Sequence, residues 1–304
     1  MKKLFYTGLM LILAGICYIY QNEIKFFIYD AKNYILHKNV TITPNEYYRD
    51  YNFNYVQNTN HFKPNTKQDL INIFYTVINS GMESFEFYCP SQYTDCIEDI
   101  KSIANDQNIL SHINNFVHPF NGFNHIETEY TTSGEIVISV DKTYSSGDIA
   151  MINEEIDKLS NKLVSSTNSD VEKIKIIHDY IINNTKYDSD RSDYDIINYR
   201  SDVAYGPLFE GYGICGGYSD TMALFLEKFD IKNYKISSDK HVWNAVYLDG
   251  AWYHLDLTWD DPVTSNNTDV LTDDFFLISS DELNNNDATE HQFDGSIYSE
   301  LKEA

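Results

Sequence analysis

One cysteine in this chain lies in a setting suited to nucleophilic chemistry. Cys215 follows the run Gly-Tyr-Gly-Ile and precedes Gly-Gly-Tyr and a predicted helix. His241 begins an alternating run typical of a strand, and Asp256 ends a second such run. Side chains on two paired strands face each other across the hairpin. A thiol, a base that takes its proton and a carboxylate that orients the base are what covalent sulfur chemistry requires.

One predicted helix and three predicted strands form the unit that must place these side chains together. A helix is expected from Cys215 to about Lys228, and strands are expected from Tyr234, Val242 and Trp252. The dipeptide at 249–250 is Asp-Gly, which predicts a tight hairpin turn between the last two strands. The fold class predicted from these signals is α+β, with the cysteine helix packed on an antiparallel sheet.

The same residues resemble a known family. The resemblance rests on the runs Gly-Tyr-Gly-Ile-Cys215-Gly-Gly-Tyr, His241-Val-Trp-Asn and Trp-Tyr-His-Leu-Asp256-Leu-Thr-Trp-Asp-Asp-Pro. They resemble the core of the bacterial transglutaminase-like superfamily, whose members are related to papain, over roughly residues 170–263. The resemblance implies a papain/transglutaminase-like core in which Cys215 is the nucleophile, His241 the general base and Asp256 the group that orients the base.

That family implies acyl transfer on protein or peptide amides through a thioester. Backbone N–H groups in the first turn of the cysteine helix would bind the oxyanion, because helix N-termini leave amides unpaired. Water as the acceptor gives a peptidase or amidase, which we favour, and an amine acceptor gives protein cross-linking. A cell-wall peptide stays open as a substrate. The further candidates for the oxyanion site or the cleft are Tyr205, Tyr212, Trp243 and Asn244.

Other interpretations of these residues stay open. A non-catalytic cell-surface binding protein or adhesin would keep the fold without turnover. A zinc site built from Cys215, His241, His254 and Asp256 has suitable ligand types, but it lacks a short Cys-x-x-Cys or His-x-x-x-His pair. We therefore predict no metal and no cofactor.

Several nearby residues are predicted to have no chemical role. Asp260 and Asp261 are interpreted as turn residues before Pro262, and His178 as a structural residue of a helix. The tail after residue 275, which contains His291, is interpreted as peripheral.

The charge of the chain restricts its partners. Lys and Arg number 22 against 46 Asp and Glu, which gives a formal net charge of −24. Phosphates would be repelled by this charge, so a nucleic-acid partner is excluded. A protein or peptide is the expected substrate.

The N-terminus predicts a membrane anchor. Lys2 and Lys3 precede an uncharged run from Leu4 to Tyr20, which is close to the lower length limit for a spanning helix. Positive charge before the run predicts that the N-terminus is inside and the remainder outside. No convincing small-x-small cleavage site follows, so an uncleaved single-pass anchor in the cell membrane is favoured, and cleavage would give a secreted protein.

An oxidising exterior would also permit a disulfide. Cys89 and Cys96 bracket a short loop that such a bond would close, which leaves Cys215 unpaired.

The predicted organisation has five regions. They are a membrane anchor or signal peptide (1–22), a stalk or linker (23–66), a small α+β domain (67–147), a transglutaminase-like catalytic domain (148–275) and a C-terminal peripheral lobe (276–304). Within the small domain we predict helices over 69–79 and 97–113, a strand over 84–88, and a hairpin of strands 123–130 and 135–140.

Overall fold

The computed structural model describes residues 2–21, 23–25, 27–28, 31, 41–131, 134–262, 270–286 and 289–303. Helix α1 (Lys2–Ile19) lies at the N-terminus. Across these ranges no helix is long and apolar enough to cross a membrane. The predicted transmembrane helix is therefore not found: a span needs about 20 mainly apolar residues, and α1 has 18, which include Lys2 and Lys3. Most of the predicted stalk between residues 23 and 40 lies outside the described residues.

The first half of the described chain contains an antiparallel sheet with helices packed against it. Its elements are α2 (Lys67–Asn79), β1 (Ser84–Tyr88), α3 (Cys96–Asn105), α4 (Gln107–Phe116), β2 (Phe123–Tyr130) and β3 (Glu135–Lys142), with the strand order β1-β3-β2. The helix predicted over 97–113 is two helices. The chain breaks at Asp106, whose extended backbone lets its carboxylate accept hydrogen bonds from the amides of Asn108 and Ile109 and cap α4. The predicted disulfide between Cys89 and Cys96 is present.

The second half builds a helix-on-sheet unit. The elements before the cysteine are α5 (Ser146–Leu163), α6 (Asp170–Asn184), β4 (Lys186–Tyr187), α7 (Ser189–Tyr194), a π-helix (Gly206–Glu210) and β5 (Tyr212–Gly213), and β4 pairs with β5 in parallel. They are followed by α8 (Cys215–Lys228), β6 (Asn233–Ser237), β7 (Val242–Leu248), β8 (Ala251–Leu255) and α9 (Ser280–Asn286).

The predicted hairpin is confirmed at the turn between β7 and β8. Asp249 and Gly250 have φ of 51° and 92°, the left-handed backbone that a two-residue hairpin turn requires. The register places Leu248 opposite Ala251 and Asn244 opposite Leu255, in a sheet of order β6-β7-β8. Buried side chains of α8 and of this sheet share one hydrophobic cluster, so the fold is mixed α and β with antiparallel sheets.

Two regions predicted to lie apart from the core contribute to it. Residues 41–66 have no helix or strand before position 67, yet Phe53 and Val56 are buried in the main hydrophobic cluster. Arg49 is also buried and pairs with Glu227 on α8 at 2.6 Å. From the C-terminal region, the buried side chains of Leu283, Tyr298 and Leu301 join the same cluster. The predicted domain bounds themselves stay a prediction.

Candidate active site

The first residue of α8 is Cys215, a free and partly exposed thiol. The residue before it, Ile214, is extended and provides no side-chain cap, so the first-turn amides are not capped by a side chain. This turn packs tightly against the preceding loop. A Cβ atom on Gly217 would lie 2.3 Å from the carbonyl oxygen of Ser201, and only glycine permits that approach.

The β7–β8 hairpin brings His241 and Asp256 together. His241 directly precedes β7 and Asp256 directly follows β8, on neighbouring antiparallel strands. His241 Nε2 lies 2.5 Å from Asp256 Oδ2. The other carboxylate oxygen accepts hydrogen bonds from the amides of Thr258 (2.9 Å) and Trp259 (3.3 Å). The backbone thus fixes the carboxylate, and the carboxylate fixes the imidazole.

The environment of this pair favours its charged form. Burial acts to lower the pKa of His241, but the charge and hydrogen bond of Asp256 and a hydrogen bond to Cys215 raise that pKa to about 10. Burial acts to raise the pKa of Asp256, and the charge of His241 with the hydrogen bonds of His241 and His291 holds it well below its usual range.

All three predicted triad residues therefore meet in one place. Asp256 binds Nε2 of His241, which leaves Nδ1 as the ring nitrogen that can take the proton of the Cys215 thiol. Thiol, imidazole and carboxylate form a chain in the order that proton transfer away from sulfur requires.

The thiol and the imidazole open into one cleft of about 530 Å³. The cleft is lined by Tyr187, Ser192, Cys215, Lys240, His241, Thr258, Trp259, Asp261, Pro262 and Glu290. Tyr187 was not predicted as a cleft residue. It stands in β4 opposite Gly213 of β5, two residues before the cysteine, and this parallel pairing has no simple sequence signature.

Two of the predicted cleft candidates lie elsewhere. Tyr205 packs against Phe209 and under the Arg200 guanidinium, 4.4 Å from its ring centre. Tyr212 stacks on Tyr199 with ring centres 3.9 Å apart. Neither tyrosine lines the cleft that holds Cys215.

Trp243 and Asn244 are buried behind the site instead of lining it. The Trp243 ring stacks on His241 at 5.6 Å, as expected for residues that share one face of a strand. Its indole N–H donates to His254 Nδ1 at 2.9 Å. The Asn244 amide donates to the carbonyl of Ser219 at 3.0 Å and so joins β7 to α8.

A second histidine reaches the triad carboxylate from the C-terminal region. His291 Nε2 lies 2.8 Å from Asp256 Oδ2, and the His291 side chain is fully buried. The sequence interpretation missed this residue, because it stands far along the chain from Asp256 in a stretch with no recognised motif.

Asp260 is not a simple turn residue. It is fully buried, and its carboxylate contacts His178 Nε2 at 3.1 Å. It also accepts hydrogen bonds from the Phe275 amide (3.0 Å) and the Thr272 hydroxyl (3.1 Å). These contacts tie the turn after Asp256 to α6. The neighbouring Asp261 accepts a hydrogen bond from the Tyr218 hydroxyl at 2.5 Å.

The described residues contain two groups with metal-ligand side chains in proximity. One is His241, Asp256 and His291, and the other is His178, Asp179 and Asp273. Nitrogen ligands of a tetrahedral zinc ion are separated by about 3.3 Å. The 2.5 and 2.8 Å contacts of the first group are hydrogen-bond distances instead.

Neither the second group nor the zinc site considered from sequence fits a metal better. In the second group, Lys175 already bridges Asp179 (2.5 Å) and Asp273 (3.0 Å). The sequence-based zinc site needs His254, whose ring nitrogens are bonded to Trp243 and Ser280.

The part of the chain that holds Cys215, His241 and Asp256 matches a known family. Residues 157–257 match the family model of the transglutaminase-like superfamily. This part of the chain is a transglutaminase-like domain. The match contains Cys215, His241 and Asp256, whereas His291 lies outside it.

Individual relatives of the transglutaminase-like domain are distant. Human kyphoscoliosis peptidase is 28% identical over 151 residues, which cover 40% of this chain and 21% of that protein. The chain thus spans about a fifth of the length of this curated relative.

Two solved structures also resemble part of the chain. One is a TGase (17% identity, TM-score 0.35, 48% of this chain and 46% of that chain). The other is a candidate cysteine protease from Cytophaga hutchinsonii (15% identity, TM-score 0.28, 48% of this chain and 65% of that chain). At these TM-scores neither likeness carries a conclusion about this chain.

Proposed function

We propose that this chain is a cysteine-type enzyme that transfers the acyl group of a protein or peptide amide through a thioester on Cys215. The observation that supports this most strongly is that His241, held by Asp256 at 2.5 Å, lines the same cleft as the Cys215 thiol. The raised pKa of His241 favours an imidazolium beside the sulfur, and a thiolate is the reactive form of cysteine.

The proposed reaction begins with attack of the Cys215 sulfur on the amide carbonyl. The resulting oxyanion is bound by first-turn amides of α8, where the helix dipole also favours negative charge. His241 then gives its proton to the leaving amine, the C–N bond breaks and a thioester remains. His241 next takes a proton from the acceptor, which attacks the thioester, and the thiol is released.

Hydrolysis, with water as the acceptor, is the proposed reaction. The name of the human relative, a peptidase, supports this choice. Transfer to an amine uses the same residues, so cross-linking is the second candidate. A location outside the cytoplasm is also proposed, because the Cys89–Cys96 disulfide is of a kind that persists in oxidising compartments.

An activated ester tests the proposal without knowledge of the natural substrate. The protein is mixed with p-nitrophenyl acetate, and both p-nitrophenolate release and protein mass are followed. We expect a burst equal to the enzyme concentration and one acetyl group on Cys215, absent from Cys215→Ser. A protein that shows no burst and no acetyl group on Cys215 contradicts the proposal.

The fate of the acetyl group then separates the two candidate reactions. Deacylation is followed with and without added Nα-acetyl-lysine. Acetate as the main product in its presence supports hydrolysis. Nε-acetylated product in excess of acetate supports cross-linking chemistry.

A further inference from the structure

His291 belongs to a part of the chain that the family match does not include, yet it is built into the site. Its side chain is fully buried, and the Asp256 side chain that it contacts is 2% exposed. The preceding residue, Glu290, lines the cleft of Cys215. The segment around 290–291 is therefore part of the wall of the site.

One oxygen atom of Asp256 serves two imidazoles. Oδ2 lies 2.5 Å from His241 Nε2 and 2.8 Å from His291 Nε2. An ionised carboxylate only accepts hydrogen bonds, so both ring nitrogens donate. Because Oδ1 is already bonded to the amides of Thr258 and Trp259, the carboxylate has a donor on every side.

Aromatic packing fixes the orientation of the His291 ring. It stacks on Phe275, with ring centres 5.0 Å apart and an angle of 17°. Trp243 and Trp259 meet it edge-on at 4.9 and 5.0 Å. A ring enclosed in this way cannot turn its Nε2 away from Asp256 without repacking the three neighbours.

We propose that His291 is a positioning residue of this site, which divides the charge of Asp256 between two imidazoles and thereby sets how strongly the carboxylate holds the proton of His241. The inference rests on the proposed function of Cys215 and His241. His291 does not itself line the cleft of Cys215. It meets the His241 ring edge-on at 5.2 Å and shares Asp256 Oδ2 with it, so it acts on the thiol through His241 and Asp256.

The direction of the effect follows from charge sharing. A second donor on Oδ2 withdraws negative charge from the hydrogen bond to His241, since hydrogen bonds to a charged acceptor stabilise and spread its charge. Without this donor, Asp256 attracts the His241 proton more strongly. The ionisable groups around the pair are Cys215 on α8, Lys240 before β7, His254 on β8, and Tyr187, Asp261 and Glu290 in the cleft.

The rate at which iodoacetate alkylates Cys215 reports whether the His241 ring is protonated. The reagent is an anion, so its reaction with the Cys215 thiolate is fast only while the neighbouring imidazolium is present. The rate of labelling at Cys215, followed by mass spectrometry from about pH 5 to about pH 11, should give a bell-shaped profile whose upper limb reports His241.

Three variants of His291 test the effect of its N–H donor on Asp256. His291→Phe keeps a ring and removes the N–H group, and we expect the upper limb to move up by roughly half a pH unit. His291→Gln places an amide N–H near the Nε2 position and should restore the wild-type profile. His291→Asn is too short to reach Oδ2 and should behave as His291→Phe, which gives a second test if the Phe variant does not fold.

A matched control is His254→Phe. His254 is another buried histidine of the sheet, bonded to Trp243 and Ser280 and not to Asp256, so its loss should lower stability and leave the profile unchanged. The inference is overturned if the donor-free variants keep the wild-type upper limb, if the limb moves down, or if Gln does not restore it. A wild-type protein without a bell-shaped profile would instead remove the proposed function.

Discussion

At the residue scale, the ionisation of His241 links the site to the stability of the fold. Its pKa of about 10 lies above the ordinary value of 6.5, because Asp256 and Cys215 outweigh the effect of burial. A group whose pKa is raised by folding stabilises the folded state fully below its unfolded value. That stabilisation is lost as the pH rises from about 6.5 to about 10.

The first prediction is that His241→Gln reduces the alkaline loss of stability. The wild-type protein should lose melting temperature between about pH 6.5 and pH 10, by an amount that corresponds to a few kcal/mol at most. The variant, which has no titrating ring, should lose clearly less over the same range. Thermal unfolding at the two pH values measures the difference.

His125→Gln provides the control for that experiment. His125 has a side chain that is 60% exposed, so its replacement should leave the wild-type pH dependence intact. Equal losses of melting temperature in wild type and His241→Gln would show that the pair with Asp256 does not hold the proton as described.

At the element scale, the first turn of α8 is defined by how closely it approaches the loop before it. A Cβ on Gly217 would lie 2.3 Å from the Ser201 carbonyl oxygen, and a Cβ on Gly216 would lie 2.6 Å from that of Asp202. Backbone atoms cannot move away as a flexible side chain can. The position of Cys215 therefore depends on two glycines that follow it.

We predict that Gly217→Ala displaces the start of α8 and lowers both stability and the burst with p-nitrophenyl acetate. A cost of roughly 2 kcal/mol is expected for this overpacking. Chemical denaturation and burst amplitude are the measurements. The matched control is Gly147→Ala in the first turn of α5, where a Cβ would meet only Ser145 Oγ at 3.7 Å. Equal behaviour of the two variants would contradict the close-approach account.

The buried pair of His178 and Asp260 joins α6 to the turn that carries Asp256. Asp260→Ala should cost roughly 3 kcal/mol, because it leaves His178, the Phe275 amide and the Thr272 hydroxyl without this acceptor. Urea denaturation measures the change in the free energy of unfolding. Lys158→Ala, which removes the solvent-exposed partner of Glu155, should leave the free energy of unfolding close to the wild-type value. A similar loss of unfolding free energy in both variants would show that the buried pair does not stabilise the contact between α6 and the turn.

The elements that position the triad could be predicted from sequence, because each has a local signal. The Asp249-Gly250 turn sets the hairpin register, and that register fixes the relative position of His241 and Asp256. The predicted bounds of α8 and β1 also agree with the structure, because each of these elements has a local sequence signal. The break at Asp106 was missed because the apolar pattern continues through it.

Contacts that depend on the packing of distant segments could not be predicted. The rings of His241, Trp243, Trp259 and Phe275 surround His291 and hold it against Asp256, and no local sequence pattern predicts that packing. Tyr187 reaches the cleft through a two-residue parallel pairing. Asp260 is surrounded by groups from α6 and from residues 272–275, so its burial is a tertiary property.

At the scale of the whole molecule, the disulfide and the site lie in different parts of the chain. Cys89 and Cys96 close a loop between β1 and α3, and neither residue lines the cleft of Cys215. Closing so short a loop is worth about 2.5 kcal/mol in the chain-entropy estimate. Its loss should therefore weaken the fold without changing the chemistry.

The corresponding prediction uses the double variant Cys89→Ser/Cys96→Ser. Its melting temperature should fall by several degrees, as expected for about 2 kcal/mol, while the burst amplitude with p-nitrophenyl acetate at room temperature stays at the wild-type value. Loss of the burst in a variant that circular dichroism shows to be folded would contradict the independence of the two regions.

The central claim is that Cys215 and His241 act as one chemical unit, and a second thiol in the same chain allows a direct test. Cys17 is free and exposed in α1. At about pH 6 an ordinary thiol is almost entirely protonated and reacts slowly. The measurement is the rate of iodoacetamide labelling at each cysteine, in wild type and in His241→Gln. The account predicts that wild-type Cys215 reacts at least about 100 times faster than Cys17 and that this advantage disappears in the variant. Equal rates at the two cysteines of the wild-type protein would contradict it.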